Sequence, residues 1–576
     1  MVAHKAIAEA DPTAFSRSYC FAALLAAGTM IVGLASAMSA VAAGPVTLGP
    51  LVQITGPSPF NGCLADDPAG QEADGSVFFA DSEIEPFIDV NPAHPDTLIA
   101  VWQQDRWSDG GARGLVSGVS DDGGATWTTV TAPKFTECSA GTFERASDPW
   151  VSFAPNGDAY FESLSFDEDL TIFGGHSAVQ VAKSTDGGHS WGPPTTLIED
   201  NDPNVFNDKE SLTADPTSSN RVYATWDRLE NFSSTEQERK ALAAATQGSK
   251  DKVILAGRVL RTMQAKMAAA ATTAAAPPPP QFKGPTYFTR TKDAGASWER
   301  ASIIFDPGAN NQTINNQILV DGNGILTAVF TEILNLPNGN VRVNISLKRS
   351  TDSGFSFVPV NRAIRAAQIF SLAVANPVGT FTPDDNLPVR DAGILFDPAV
   401  DPHTGALYLV WQDDRFSRRN AVDQVAFSMS TNGGRTWTTP IKINKTPFNF
   451  NVKRQAAFIP TIAVNSAGVL VATYYDFRND DLTGELTDQW AVFCDPQVRN
   501  CAKPASWGNE QRLTDTSFDI RDAPTVGAGE FLGDYMGSAS ASSDVHPAFG
   551  IADGSEQTSI FTRNISIAPA VAAANQ

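Results

Sequence analysis

Four segments of this chain place acidic residues and an arginine just after an aromatic residue. An arginine on a ligand-binding face can hold an anionic or polyhydroxylated molecule, because its guanidinium offers two parallel donors to a carboxylate. The acid and the arginine can instead pair with each other and only join strands. The four segments, here called the aromatic-Asp-Arg segments, are Trp102-Gln103-Gln104-Asp105-Arg106, Trp226-Asp227-Arg228, Trp411-Gln412-Asp413-Asp414-Arg415 and Tyr475-Asp476-Phe477-Arg478.

A second set of ionisable residues stands at the start of other strand-like segments. If the fold brings both sets to one face, they form a ring of arginines and carboxylates around one opening, and such a ring would bind an anionic or polyhydroxylated ligand. The second set contains Glu85, Arg145 with Asp148, Asp208 with Glu210, Arg390 with Asp391, and Glu530 with Asp534 and Tyr535.

These residues are positioned by a repeat. The pattern Ser/Thr-x-Asp/Asn-x-Gly-x-Ser/Thr followed by an aromatic residue, here called the repeated turn, occurs five times. Recurrence of this kind is typical of an array of similar β units. The copies span residues 120–127, 184–191, 291–298, 350–357 and 430–437.

Each repeated turn follows two strand-like segments, such as residues 87–92 and 98–102. A third strand leads into the turn and a fourth leaves it, which predicts four antiparallel strands in each unit. Six units are nearly complete. A last segment, Phe531 to Thr562, adds about three strands, and residues 49–55 have the pattern of the missing fourth strand. We therefore predict an all-β, seven-bladed β-propeller, with six blades as the alternative if the last segment is an outer extension.

The Asp of the repeated turn is expected to build the fold rather than to do chemistry. Its carboxylate can accept hydrogen bonds across its own turn, the glycines allow positive φ, and the aromatic residue inserts between sheets. A calcium loop needs several oxygen ligands at one point, and each copy offers about one. Because the turn joins strands three and four, the aromatic-Asp-Arg segments are predicted at the opposite face of the ring.

Composition narrows the classes of function. The chain has 576 residues, of which 42% are hydrophobic and 18% charged, as in a globular protein with a large core. Its formal net charge of −23 disfavours nucleic acid and anionic membranes as partners, since both attract basic surfaces. No Gly-rich phosphate loop opens a helix, and the six histidines lack metal-ligand spacing. We expect no cofactor and no metal.

The chain begins with an apolar run, Phe21 to Val41, typical of a signal peptide over residues 1–43; an uncleaved membrane anchor is the alternative. Residues 44–576 are predicted to be one propeller, secreted or periplasmic, with no membrane span after cleavage. Residues 234–281 have apolar residues at helical spacing and then four prolines, which predicts a helical and Pro-rich insertion.

Four cysteines follow the leader, an even number that suits an oxidising compartment. Cys494 and Cys501 are close enough in sequence to form a disulfide within one hairpin. Cys63 and Cys138 would then tie the N-terminal segment to the end of the first unit, although three pairings are possible.

The repeated turn resembles the Asp-box, or bacterial neuraminidase repeat, of the sialidase superfamily of β-propellers, and the resemblance covers nearly all of residues 44–576. It implies a glycoside hydrolase of the exo-α-sialidase type, acting on terminal acidic sugars. Such an enzyme uses three arginines for the substrate carboxylate, a tyrosine nucleophile activated by a glutamate, and an aspartate as acid and base. This chain lacks the Arg-Ile-Pro sequence that usually marks the first arginine, and its seven predicted blades exceed the family's six.

Carried over to this sequence, the resemblance makes Tyr535 the candidate nucleophile, Glu530 its activating acid and Asp148 the proton carrier. The expected ligand is a glycan or another anionic small molecule. The alternative function is a non-catalytic propeller of the cell envelope that binds glycans or a protein partner with the same face. The candidate substrate-binding residues are Arg106 and Arg228 together with Arg390, Arg415 and Arg478, the last three forming the expected arginine cluster.

Overall fold

The computed structural model describes residues 44–63, 65, 76–132, 134–167, 175–231, 282–374, 379–526, 529–554 and 557–568. The predicted signal peptide, 1–43, and the predicted insertion, 234–281, lie outside the described residues. The described part of the chain is all-β and contains no α-helix, which confirms the all-β part of the prediction. Among these residues, no helix is long and apolar enough to span a membrane.

Seven groups of four strands are formed by the described residues, and neighbouring strands in each group are antiparallel. In spatial order the groups are β2 (Phe78–Val90), β3 (Leu98–Trp107), β4 (Ala112–Ser120) and β5 (Thr128–Thr131); β6 (Arg145–Phe153), β7 (Ala159–Phe166), β8 (Gly175–Ser184) and β9 (Thr195–Asp202); β10 (Val205–Ala214), β11 (Val222–Asn231), β13 (Thr286–Thr291) and β14 (Ser302–Phe305); β15 (Asn311–Val320), β16 (Leu326–Asn335), β17 (Val341–Ser350) and β18 (Ile364–Ile369); β21 (Phe396–Val400), β22 (Leu407–Asp413), β23 (Gln424–Ser430) and β24 (Ile441–Lys442); β25 (Ala457–Val464), β26 (Leu470–Asp476), β27 (Leu486–Cys494) and β28 (Gly508–Arg512); and β32 (Gly537–Ala539), β33 (Asp544–Gly554), β34 (Gln557–Ile567) and β1 (Val46–Gln53).

Short elements complete the described structure. The strand β12 (Phe282–Lys283) pairs with β11, and β29 (Phe518–Asp519) pairs with β27. A small separate sheet contains β19 (Thr380–Phe381), β20 (Pro388–Arg390), β31 (Gly529–Phe531) and β30 (Thr525–Val526). The 3-10 helices span Glu137–Ser139, Leu372–Val374, Asp414–Phe416, Arg418–Asn420, Val452–Gln455, Pro504–Ser506 and Ile520–Asp522.

The first copy of the repeated turn shows why the pattern is needed. Asp122 Oδ1 accepts the N–H of Thr126 at 2.8 Å and the hydroxyl of Ser120 at 2.9 Å, and Oδ2 accepts the hydroxyl of Thr126 at 2.7 Å. Gly124, at φ 87°, donates its N–H to Ser120 Oγ at 2.9 Å. In the fifth copy, Asn432 takes the place of the aspartate and accepts an N–H in the same way, at 3.0 Å. These side chains are committed to their own turns.

The repeated turns lie at one end of the strands and the aromatic-Asp-Arg segments at the other. In the first group, Gly123 of the repeated turn donates its N–H to the carbonyl of Asp96, in the turn between β2 and β3, at 2.9 Å. At the far end of the same two strands, Phe79 pairs with Arg106. The shared strand order of the other groups gives them the same polarity.

The aromatic residue that opens each aromatic-Asp-Arg segment is a core residue. Trp102, Trp226, Trp411 and Tyr475 are fully buried. Burying an aromatic ring removes about 150–250 Å² from water, worth about 4–6 kcal/mol at ~25 cal/mol per Å². Each ring therefore anchors the end of a second strand and fixes where the charged residues after it emerge.

Two disulfides, Cys63–Cys138 and Cys494–Cys501, join the four cysteines. This is the pairing expected from the short spacing of Cys494 and Cys501. The longer link ties the segment before β2 to the segment after β5, which restricts the unfolded chain and so stabilises the fold.

Candidate functional site

A bulge at the same place in the first three groups aims three side chains at one another. Glu85, Asp148 and Lys209 have φ of 52°, 52° and 48°, and the strand register shifts beside each residue. A residue other than Gly pays about 1 kcal/mol or more for this backbone conformation, so the surrounding contacts must fix it. Bulges of this kind re-aim side chains out of the regular alternation of a strand.

Lys209 is the centre of the resulting cluster. Its Nζ lies 3.0 Å from Asp534 Oδ2, 3.3 Å from Asp148 Oδ1 and 3.7 Å from Glu85 Oε1. Only 11% of the Lys209 side chain is exposed. Burial by itself would lower the pKa of Lys209, but the three carboxylates outweigh it and hold that pKa well above its ordinary value. One ammonium thus gathers three carboxylates that are distant in sequence, and we call these four residues the Lys209 cluster.

Asp534 carries the most firmly held negative charge of the Lys209 cluster. Arg390 binds it with two hydrogen bonds, from Nε to Oδ1 at 2.9 Å and from Nη2 to Oδ2 at 2.5 Å. Burial would raise the pKa of Asp534, but the charges of Arg390 and Lys209 prevail and hold it well below its ordinary value. The Arg390 guanidinium also lies over the ring of Phe531, 4.4 Å from its centroid.

Glu85 is the member that changes protonation most easily. Its Oε1 accepts the N–H of Asp534 at 2.9 Å, and its Oε2 accepts a hydrogen bond from Gln103 Nε2. Burial raises the pKa of Glu85 to about 7, against the opposing effect of Lys209. A carboxyl with this pKa can give or take a proton near neutral pH.

Tyr535 lies against the Lys209 cluster. Its ring is 5.4 Å from Lys209 Nζ and 5.8 Å from the Trp150 ring, and its hydroxyl is buried without a hydrogen-bond partner among the described residues. Burial, and then the negative charges of Asp148 and Glu85, raise the pKa of Tyr535 well above its ordinary value. The phenol is therefore protonated at neutral pH and needs a base before it can act as a nucleophile.

Three further acids near the Lys209 cluster are buried and unpaired. Both carboxyl oxygens of Glu162, Glu210 and Asp227 lack a hydrogen-bond partner within the described part of the chain. Burial raises the pKa of each well above its ordinary value, and nearby carboxylates add to this effect at Glu210 and Asp227. Burial therefore favours the neutral form of these acids.

Arg228, Arg390, Arg415 and Arg478 each pair with a carboxylate. Arg415 and Arg478 each bind the aspartate two residues earlier in their own aromatic-Asp-Arg segment, so these two pairs are the internal ion pairs that the pattern also allowed. No carboxylate is shared between the four arginines in these pairs. The pairs are Arg228 with Asp200 at 2.7 Å, Arg390 with Asp534 at 2.5 Å, Arg415 with Asp413 at 2.7 Å and Arg478 with Asp476 at 2.6 Å.

Arg106 and Glu530 border the Lys209 cluster from other elements. Arg106 donates to Gln103 Oε1 at 2.5 Å, and its guanidinium is 5.6 Å from the centroid of the Phe531 ring. Glu530 lies in the small sheet, where β31 runs beside β20. The carboxyls that act most strongly on Tyr535 are those of Asp148 and Glu85, followed by Glu210 and Asp534, rather than that of Glu530.

The structure thus brings together five residues that the sequence placed at strand starts, and adds Lys209 to them. The five are Glu85, Asp148, Arg390, Asp534 and Tyr535. The sequence does not mark Lys209 as a site residue, because a lysine in a strand is usually solvated. Its position in β10 matches those of Glu85 in β2 and Asp148 in β6, and this alignment of the first strands is the signal that could have found it. No motif marks Glu162, which is a buried acid in a second strand.

The open space beside Tyr535 is small. Tyr535, Asp534, Trp150 and Asp397 are among the residues that line a cavity of about 20 Å³. A single water needs roughly 10–15 Å³ by this measure, so the cavity holds about one water. In the described residues, no cluster of His, Cys, Asp or Glu has an arrangement that could hold a metal ion.

Neither a protein-family model nor a curated protein matches this sequence. Among solved structures, the chain is similar to the Hadza microbial sialidase Hz136, at 13% identity over 83% of this chain and 75% of that chain, with a TM-score of 0.39. It is similar to the α-L-arabinanase of Penicillium chrysogenum at 12% identity, over 79% of this chain and 100% of that chain, with a TM-score of 0.42. It is also similar to the leech intramolecular trans-sialidase at 9% identity, over 90% of this chain and 98% of that chain, with a TM-score of 0.40. These similarities are too remote to assign the chain to a family or to an activity.

Proposed function

We propose that this protein is a glycoside hydrolase built on a β-propeller, with its active site at the Lys209 cluster and terminal acidic sugars as its substrates. One observation carries the proposal: the Tyr535 hydroxyl is buried, has no hydrogen-bond partner among the described residues, and lies within the electrostatic influence of the Asp148 and Glu85 carboxyls. A phenol next to a carboxyl that can take its proton is the arrangement that a tyrosine nucleophile requires.

We infer that the propeller has seven blades and is closed by its two chain ends. Three contacts support this. The strand β1 pairs with β34, from Val46 with Ile567 onward. The Asp534 N–H, just before the last group, donates to Glu85 in the first group, and β2 contacts β32 as well as β6. Pairing of the ends protects strands that would otherwise be open edges.

In the proposed reaction, the Tyr535 oxygen attacks the anomeric carbon while the bond from that carbon to the leaving oxygen breaks. Glu85 takes the phenol proton, and Asp148, which must enter this step protonated and released from its ion pair with Lys209, gives that proton to the leaving oxygen. Water then attacks the anomeric carbon and loses a proton to Asp148, while the bond from that carbon to the Tyr535 oxygen breaks and Glu85 returns its proton to that oxygen. The pKa of Glu85 near 7 suits the role in which the sequence placed Glu530.

The choice of acidic sugars rests on the candidate arginines. Arg390 binds Asp534 of the Lys209 cluster directly, and a sugar carboxylate would bind Arg390 by taking the place of Asp534. After that exchange, Asp534 keeps its ion pair with Lys209, which lies 3.0 Å away. A neutral sugar needs no such exchange, so the preference between acidic and neutral substrates is part of the test.

The small size of the cavity favours a second candidate function. A cavity of about 20 Å³ beside Tyr535 admits no sugar ring until side chains at its mouth move. A propeller that binds glycans or a protein at its charged face without hydrolysis needs no such movement.

The test is release of a fluorogenic leaving group from acidic and neutral glycosides by the purified protein. We expect turnover of at least one glycoside, and loss of that turnover in Tyr535→Phe, which removes only the hydroxyl. Tyr287→Phe, a half-buried tyrosine on β13, is the matched control and keeps activity. Absence of turnover by the folded wild-type protein on every glycoside, or full activity of Tyr535→Phe, rejects hydrolysis at this site.

A further inference from the structure

A groove of about 460 Å³ lies among the repeated turns of the second and third groups. This volume is within the ~300–1,000 Å³ of small-molecule sites, whereas the cavity beside Tyr535 measures about 20 Å³. The residues that line the groove include no member of the Lys209 cluster. The groove is therefore a second site, and nothing in its geometry depends on the proposed hydrolysis.

Three aromatic side chains line the groove. Trp191 and Trp298 end the second and third copies of the repeated turn and are half-buried, while Tyr160 of β7 is fully buried. Trp191 is held by a hydrogen bond from its Nε1 to Ser117 Oγ at 3.0 Å and by an edge-on contact with Phe161 at 5.3 Å. A ring fixed in this way loses little conformational freedom when a ligand packs on it.

Small and cyclic residues keep the groove open. Gly295 has φ of 85°, and a Cβ at this position would come 3.1 Å from Tyr160 Cε1. Gly192 is followed by Pro193 and Pro194, and β9 begins only at Thr195. A proline has no N–H to give to a neighbouring strand, so these residues do not extend β9 toward Trp191.

The polar groups of the groove suit a neutral ligand. Lys183, its one cation, already lies 2.8 Å from Asp158. Thr185 and Thr195 are exposed and offer hydroxyls, and the hydroxyl of Tyr160 is buried with no hydrogen-bond partner among the described residues. An anionic ligand would have to displace Asp158 from Lys183, and the net charge of −23 opposes its approach.

We propose that this groove binds a neutral oligosaccharide. The C–H groups on the face of a sugar ring carry partial positive charge and pack against the negative faces of the Trp191 and Trp298 rings. The sugar hydroxyls both donate and accept, which matches the exposed hydroxyls of Thr185 and Thr195. The groove would hold a glycan chain near the protein whether or not the Lys209 cluster cleaves it.

The test is isothermal titration of the purified protein with cellohexaose, xylohexaose, arabinohexaose and chitohexaose at millimolar concentrations. We expect at least one of them to bind, and Trp298→Ala to weaken that binding tenfold or more. Trp437→Ala is the matched control, since Trp437 ends the fifth repeated turn and does not line the groove. Thr195→Trp, a change at an exposed position on the groove, is expected to block binding without touching the core.

Three outcomes would overturn the proposal. One is the absence of binding by all four saccharides. Another is binding that both Trp298→Ala and Thr195→Trp leave unchanged, which would place the saccharide elsewhere. The third is binding of decaproline, and of no saccharide, in a manner sensitive to Thr195→Trp, which would make the groove a peptide site. Loss of glycoside turnover in Tyr535→Phe has no bearing on any of these results.

Discussion

Replacing Asp397 by Asn should stabilise this protein at high pH. Asp397 lies on β21, and its Oδ2 accepts the N–H of Ile462, on the first strand of the next group, at 2.7 Å. Burial raises the pKa of Asp397 to about 8, although the hydrogen bond from Ile462 opposes this. Asparagine keeps the oxygen that accepts this N–H and removes the charge that burial penalises.

The size of the effect follows from the pKa of Asp397 in the two states. The unfolded carboxyl titrates near 3.8 and the folded one near 8. At 1.36 kcal/mol per pKa unit, the ionised carboxylate costs the fold on the order of 5 kcal/mol. Because the folded pKa is the higher one, the wild type is free of this cost below pH 4, and the cost grows as the pH rises to about 8. Partial contact with water in the cavity reduces it, so we expect about 2–5 kcal/mol.

The assay is urea denaturation at pH 5 and pH 9, followed by tryptophan fluorescence. Asp397→Asn should gain stability over the wild type, with most of the gain appearing only at pH 9. Asp89→Asn is the matched control: Asp89 accepts the N–H of Phe153 across the first junction, and burial raises its pKa to about 6, so its gain is smaller and complete by neutral pH. If Asp397→Asn is no more stable than the wild type at pH 9, the carboxyl is not desolvated as the structure implies.

Two further predictions concern stability. Lys209→Met should lower the free energy of unfolding at pH 7 by about 3–5 kcal/mol in urea denaturation, because Asp148 and Glu85 lose their buried counter-ion. The control is Lys292→Met, at a side chain that is 60% exposed and paired only at the surface, which should change the free energy of unfolding by less than about 1 kcal/mol. Equal effects of the two substitutions would contradict the burial of the Lys209 cluster. Joint replacement of Cys63 and Cys138 by serine should lower the free energy of unfolding by about 2–5 kcal/mol. This loss should exceed that from the same change at Cys494 and Cys501, because the first disulfide closes a separation of 75 residues and the second one of 7. A larger loss from the short loop would show that native contacts, and not loop closure, set the effect.

The sequence predicts much of the architecture of this protein, because the hydrogen bonds that form each repeated turn are local. In the repeated turn, Asp122 hydrogen-bonds to Ser120 and Thr126, two and four residues away, and the same few residues recur in each copy. Strand alternation and turn chemistry of this kind survive in any context, so four strands per group and their polarity follow from the sequence alone. The short spacing of Cys494 and Cys501 likewise pointed to the disulfides.

The candidate site was decided by tertiary structure. Glu85, Asp148, Lys209 and Asp534 meet only because distant groups of strands place them around one point and because bulges turn three of them inward. An Asp-x-Arg pair has the same sequence whether it is open to a ligand or closed on itself, and the structure shows Arg478 closed on its own aspartate. Protonation depends on burial, which no spacing in the sequence encodes. The repeats therefore determined where the charged face lies, and packing between the sheets determined which of its charges are paired, buried or left to react.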